Sequence, residues 1–281
     1  MQVAWFVGAS VAYIVGYALL SAPQSWRWIL ASSAVPAAIG LALRSSAPES
    51  ARWLFARGHF EQARTTLVKI FGEGPEEKPL AVQPHLPWTS IFKPPLSGRL
   101  AFVSMMWLLQ VVPLFAIYTF APVVLQALHI GSASLLGSIA ITAAFLAGSV
   151  IALPLIESWG RRNLCIAGFA LSVLAFAAVT IGRPAVVVPA FVLYAVAIGA
   201  AAGLELVYPS ELFPTAVRAG ATGFAAAVSR VGAFLGTFAL PLALGRWGVV
   251  PVMWACAGIS AAGLLLALVW APETRGSVLD A

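Results

Sequence analysis

Charge is what this sequence has least of. Asp, Glu, Lys and Arg together supply 9% of its 281 residues, while 61% are hydrophobic; soluble domains carry roughly 25% charged residues. So little polar surface cannot cover a water-soluble globule, and the chain reads as an all-α, multi-pass membrane helix bundle. Cysteine is equally scarce. Cys165 and Cys256 both fall inside apolar runs, have no metal-ligand spacing and read as small buried hydrophobes. No nucleophile stands at catalytic spacing from a base, and neither a metal-ligand cluster nor a nucleotide-binding loop is present. An enzyme is therefore not expected, nor a metal or other cofactor. The net charge of +6 comes from Lys and Arg that lie mostly in loops between apolar runs, where they report orientation in the bilayer, so a nucleic-acid partner is not expected either. The first run begins almost at Met1 without a basic region and continues uncharged through Trp26, which argues against a signal peptide.

Long apolar runs are what the chain does have. Eight stretches approach the roughly 20 residues that a spanning helix needs: 3–22, 26–44, 100–123, 133–156, 163–182, 184–207, 219–244 and 248–270. The second is short, but Arg27 and Arg44 can snorkel at its ends and Trp26 and Trp28 make an interface anchor. With eight spans both termini lie on one side. Placing them in the cytoplasm leaves only Arg27, Arg183 and Arg246 outside and Arg230 in the membrane, with every other Lys and Arg of the sixteen inside. The chain then divides into residues 1–44, a cytoplasmic helical loop and linker at 45–98, and a six-helix portion at 99–281. Within the loop, Phe60, Ala63, Leu67 and Ile70 recur at helical spacing, which predicts an amphipathic helix over Pro48 to Phe71. The Gly- and Pro-rich stretch Gly72 to Pro95 reads as a linker.

Against this apolar background two ionisable residues stand out, Glu205 and Arg230. A charge at the bilayer centre costs ~2.5 to 3.5 kcal/mol or more, so such a residue normally faces a protein interior or a watery path. At 1.5 Å per residue, Arg230 lies roughly 18 Å from Arg218 and Gln110 roughly 16 Å from Arg99, similar depths from the same face. A guanidinium offers a planar fork of donors to a carboxylate, and an amide beside it serves a second polar end. Arg230 and Gln110 are therefore candidate substrate ligands, with Tyr118 and Tyr194, like Trp107, as candidate stacking residues; packing is the commoner role for such aromatics. Glu205 is the candidate proton-coupling residue, since burial raises a carboxyl pKa and a nearby cation lowers it. The alternative is a permanent Glu205–Arg230 pair. Glu157, Arg161, Arg162, Glu211, Arg218, Glu273 and Arg275 all fall on the cytoplasmic side and are candidates for a salt-bridge gate. Single exposed pairs contribute only about 0 to 1 kcal/mol, so only a network could bias such a gate.

Five words carry a family resemblance: Pro48-Glu49-Ser50-Ala51-Arg52-Trp53-Leu54 after a span, the long cytoplasmic loop, Glu157 to Arg162, Glu211 to Arg218, and Pro272-Glu273-Thr274-Arg275-Gly276 at the end. In this order the chain resembles the major facilitator superfamily of twelve-helix secondary transporters, over family helices five to twelve only. The resemblance implies a partial major facilitator fold in which two helical halves alternate access to a central site. It also implies that four further helices come from an unrecorded upstream segment or a partner. Ser229-Arg230-Val231-Gly232 resembles the organic-ion and niacin-type branch, in which an arginine here accompanies anionic or zwitterionic substrates. Sugar porters share the Pro-Glu-Ser and Pro-Glu-Thr words but carry a Gln-rich seventh helix, where this chain reads Leu109-Gln110-Val111-Val112-Pro113. Ala51, Leu153, Glu157 and Ser158 depart from the family loop motifs.

The expectation is a proton-coupled secondary transporter of a small carboxylate-bearing or zwitterionic metabolite, set in a plasma or bacterial inner membrane. Its partners are then the lipid bilayer, the solute and H+. The alternatives are a sugar-porter relative, or an inactive fragment or accessory subunit that lacks the first four helices.

Overall fold

The computed structural model describes residues 2–72, 86–127 and 134–276, with no side chain described from 118 to 140. Among these residues every regular element is helical, as a membrane chain requires if each backbone N–H and C=O is to be satisfied without water. The helices are α1 (Gln2–Leu19), α2 (Ser25–Ser32), α3 (Ala34–Ser46), α4 (Ala51–Ala56), α5 (Phe60–Phe71), α6 (Leu96–Ala127), α7 (Ser134–Trp159), α8 (Arg161–Val179), α9 (Pro184–Ala201), α10 (Leu204–Leu212), α11 (Thr215–Trp247) and α12 (Val249–Trp270). Seven segments among the described residues are long and apolar enough to cross a membrane, and the apolar helix Val3–Leu19 is slightly shorter. The chain is thus an all-α, multi-pass membrane bundle.

It divides into two units, one comprising residues 12–86 and the other residues 1–11 with 87–280. In the first unit, the run expected as one helix over 26–44 is α2 followed by α3, with a break at Ser33. Pro36 explains it, because it has no N–H to give the Ser32 carbonyl and its ring crowds that group. The Ser32 and Ser33 hydroxyls instead donate back to the carbonyls of Ile29 and Leu30, each at 2.7 Å. Arg27 lies 5.1 Å from the Trp26 ring centroid, an arrangement suited to an interface. The amphipathic segment is likewise two helices. Gly58, at φ 80°, turns the chain between α4 and α5, which meet through buried Leu54 and Ala63. Phe60 and Ile70 of the expected apolar stripe remain exposed.

In the larger unit, α6 packs along α11, α9 sits between α7 and α8, and α12 bridges α8 and α6. The contacts are close because glycines stand at the crossings. A Cβ at Gly232 would lie 2.9 Å from the Leu108 carbonyl oxygen, and one at Gly236 would strike that of Val112. In a bilayer such close van der Waals packing drives association in place of the hydrophobic effect. The core holds Phe6 stacked on Phe145 at 5.4 Å and Tyr194 tilted against Phe176 at 4.5 Å. Part of the expected linker belongs to this unit: a 3₁₀ turn at Trp88–Phe92 buries Ile91 and sets Phe92 edge-on to Phe224 of α11, 5.2 Å away. Its acidic stretch, Glu73 to Lys78, lies outside the described residues.

The span expected over 184–207 is broken. α9 ends at Ala201 and α10 starts at Leu204, with the Glu205 N–H reaching only three residues back, to Ala202, at 3.2 Å. Glu205 therefore occupies the first turn of a new helix, where backbone N–H groups favour an acid.

Candidate functional site

The break after α9 gives Glu205 a place facing a cavity. That cavity, about 240 Å³ in volume, is lined by Trp5 and Phe6 of α1, by Trp107, Val111, Leu114 and Phe115 of α6, by Ala202, Glu205 and Leu206, and by Arg230. The α6 contribution is one helix face, since residues four, seven and eight apart fall on the same side. Arg230 stands at the middle of α11. It is exposed, while Glu205 is buried at 7% relative exposure. The guanidinium carbon lies 5.9 Å from the Phe115 ring centroid, within cation–π range. One cation, one acid and four aromatic rings thus converge, an arrangement that can hold a small charged solute against flat apolar walls.

The other sequence-expected ligands are distributed differently. Gln110 is buried on α6 beside the cavity-lining face but is not among the lining residues, and its Nε2 has no hydrogen-bond partner among the described residues. Tyr194 is 1% exposed and packs in the α7–α8–α9 core against Phe176 and Phe145, away from the cavity lining. The side chain of Tyr118 lies outside the described residues. Trp5, Phe6 and Phe115 were not marked by the sequence. In helices that are apolar all round, nothing in the pattern separates a cavity-facing ring from a lipid-facing one.

A second constellation occupies the end of the bundle where α7, α10 and α12 finish and α8 and α11 begin. Here Arg161 is the hub. Its Nη2 reaches Glu157 at 2.7 Å and Glu211 at 2.8 Å, and its Nε reaches both Glu211 oxygens at 3.2 Å. The Arg161 side chain is 7% exposed and that of Glu211 12%, whereas Glu157 is 69% exposed, so the inner pair is the stronger one. The Thr274 hydroxyl donates to Glu211 as well.

Glu273 binds the same end by another route. Its carboxylate accepts the backbone N–H groups of Arg161 at 3.0 Å, Arg162 at 3.2 Å and Arg275 at 2.9 Å. Two of these are otherwise orphaned donors at the start of α8, so the chain after α12 caps α8 from outside. Burial pushes the Glu273 carboxyl up, but the backbone N–H groups of Arg275, Arg161, Arg162 and Thr274 outweigh it and hold the group below its ordinary value. Gly160, at φ +87°, leaves room for this contact, because a Cβ there would run into the Glu273 carboxylate.

The remaining arginines of this end meet main-chain oxygens. Arg99 donates to the Leu212 carbonyl at 2.8 Å, Arg162 to Leu268 at 2.8 Å, Arg218 to Phe213 at 3.2 Å and Arg275 to Ser158 at 2.8 Å. Each acceptor lies at or near a helix C-terminus, where carbonyls lack partners within the helix and a cation is favoured. The seven residues expected as an ion-pair network are brought together. Among the described residues these contacts include one two-acid ion cluster on Arg161 and a set of helix caps.

A family model described as sugar (and other) transporter matches residues 1–281. The chain is 38% identical to the Escherichia coli protein YaaU over 98% of its own length and 63% of that protein. It is 33% identical to the inner membrane metabolite transport protein YgcS of the same organism over 100% of its own length and 64% of that protein. Its fold is similar to that of XylE, a proton:xylose symporter of the major facilitator superfamily solved with 6-bromo-6-deoxy-D-glucose bound. That match has a TM-score of 0.79 at 24% identity, over 99% of this chain and 64% of the other. The chain therefore spans a little under two thirds of the length of each of these proteins.

Proposed function

Since the chain belongs to the sugar (and other) transporter family of the major facilitator superfamily, a family of transporters and not of enzymes, we propose that it serves in proton-coupled secondary transport of a small organic solute bearing a carboxylate. The solute is a simple acid or a zwitterion. The observation that carries this reading is the exposed Arg230 guanidinium at the middle of an apolar helix, facing a cavity with Glu205. The arginine takes the carboxylate through its fork of donors, and Gln110, one turn before Leu114 on α6, serves a second polar end once the helices shift. Glu205 loads a proton when the cavity is dry or the solute's carboxylate is near, and releases it when the Arg230 cation comes near. The Arg161–Glu211–Glu157 cluster and the Glu273 cap close the end that the positive-inside rule places in the cytoplasm. The membrane is the bacterial inner membrane, a reading supported by the similarity to the inner membrane protein YgcS.

The second reading is a sugar substrate, favoured by the similarity to XylE, whose bound ligand is a hexose derivative. A single experiment separates the two. Ala227 lies one turn before Arg230 and is exposed, and the native Cys165 and Cys256 are buried. An Ala227→Cys variant in membrane vesicles is labelled with a maleimide in the presence of small carboxylic acids or of hexoses. Protection by acids, lost in Arg230→Ala, supports the carboxylate reading. Protection by hexoses alone replaces it with the sugar reading, and protection by neither class leaves the chain without a solute site of this kind.

A further inference from the structure

The cavity carries one more polar group, separate from its two ionisable residues. Trp107 lines it, is 6% exposed, and its indole N–H is buried with no hydrogen-bond partner among the described residues. A buried donor left without an acceptor is costly in any protein, and an indole nitrogen can only donate. Trp usually sits where this group finds a partner. Of the cavity-lining residues on the same α6 face, Val111, Leu114 and Phe115 have no side-chain acceptor, and neither Glu205 across the cavity nor Ser104 one turn earlier takes the indole hydrogen. Three residues along α6, the Gln110 Nε2 is likewise buried without a partner among the described residues. Positions three apart on a helix are neighbours. The two residues are thus neighbours along α6, and of the two only Trp107 lines the cavity.

Resting on the carboxylate reading above, we propose that Trp107 is a specificity-determining residue: its indole N–H is satisfied by an oxygen acceptor on the solute distinct from the carboxylate held by Arg230. The preferred class is then a hydroxy or oxo acid. A plain hydrocarbon acid fills the same aromatic walls and meets the same guanidinium, but leaves the indole donor unpaired. A site built around such a donor discriminates against the analogue lacking the acceptor more sharply than an apolar pocket discriminates by size.

The test uses acids that differ by one oxygen, mandelate against phenylacetate and lactate against propionate. Half-saturating concentrations are read from ligand-induced thermal stabilisation of the purified 281-residue chain in lipid nanodiscs. In the unaltered chain the hydroxy acid of each pair is expected to bind about tenfold more tightly or better, the value of one satisfied buried donor. In Trp107→Phe the preference, read as the ratio of the two acids within the same variant, falls to about onefold whatever the loss of ring area does to both acids alike; in Trp107→His, which keeps a ring N–H, part of the preference returns. A preference near onefold in the unaltered chain overturns the proposal even where the variants fail to fold, as does an undiminished preference in Trp107→Phe. Both results leave the carboxylate reading standing. If none of the four acids stabilises the chain, and Arg230→Ala changes nothing, the carboxylate reading itself falls and takes this one with it.

Discussion

Arg230 and Arg161 illustrate two opposite uses of the same side chain. Arg230 is exposed and lines a cavity, and in the carboxylate-binding role proposed for it the planar fork matters more than the charge alone. An Arg230→Lys change keeps the charge but loses the two-point geometry. Introduced beside Ala227→Cys, it is expected to raise the acid concentration that half-protects the new thiol about tenfold or more. Arg161 is buried and shared by two acids from different helices. Removing it as Arg161→Ala leaves Glu211 buried without its cation, and a loss of about 3 kcal/mol is expected in denaturation of the nanodisc-embedded chain. Arg161→Ala combined with Glu211→Gln should recover part of that loss; an unaltered midpoint in the single variant would remove Arg161 as the hub. Glu273 gives a pH dependence of defined sign. Its folded carboxyl is held below the ordinary value, so its stabilising contribution is complete above the ordinary carboxylate range, about pH 4.3, and is lost as pH falls further, through the lowered value. Thermal stability should therefore decline on acidification below that range, and the decline should be shallower in Glu273→Gln. At this scale the sequence identified Arg230, Glu205 and the charged residues of the bundle end, because charge in an apolar chain is conspicuous. It could not identify Phe6 or Phe115, whose surroundings are as apolar as they are, nor foresee that the Glu273 carboxylate accepts backbone N–H groups, which carry no residue identity.

Among the helices, legibility followed length. The apolar runs were long enough to be placed within a few residues, but their breaks were not visible in hydropathy. The interruption between α9 and α10 has no proline at its centre; it consists of Ala202 and Gly203 in helical conformation, with the N–H groups of Glu205 and Leu206 reaching three residues back instead of four. That small change decides whether Glu205 interrupts a helix or begins one. The α6–α11 contact is the element on which the cavity depends, since one helix supplies Trp107 and Phe115 and the other Arg230. A leucine at Gly236 would meet the Val112 backbone, which cannot yield as a side chain can. Gly236→Leu is expected to lower the melting temperature and weaken acid binding together. Gly220→Leu, on the same helix with open space around it, should do neither. Equal behaviour of the two variants would mean that α6 and α11 are not held by this contact.

For the whole molecule, composition alone decided the class, because a chain with so few charges has no soluble alternative and a bilayer admits only helices or closed barrels. Orientation is testable directly. A cysteine at exposed Ser158 should react with a membrane-impermeant maleimide only from the cytoplasmic side, and one at exposed Arg183 only from the opposite side; the reverse pattern would invert the proposed gate. The division into units was less legible than the class, since residues 1–11 group with 87–280 although an apolar run gives no sign of where one unit yields to another. The arginine caps at the bundle end have a consequence for the history of such a chain. Leu212, Phe213, Leu268 and Ser158 are gripped by their carbonyl oxygens, which every amino acid supplies alike. At exposed Leu268 and Ser158 the side chains are therefore free to drift over generations while the arginines facing them are not; Leu212 and Phe213 are held as well by burial of their side chains. In an alignment of related sequences the contacts to Leu268 and Ser158 should leave fixed arginines opposite variable positions, without the paired substitutions by which the Arg161–Glu211 contact would announce itself.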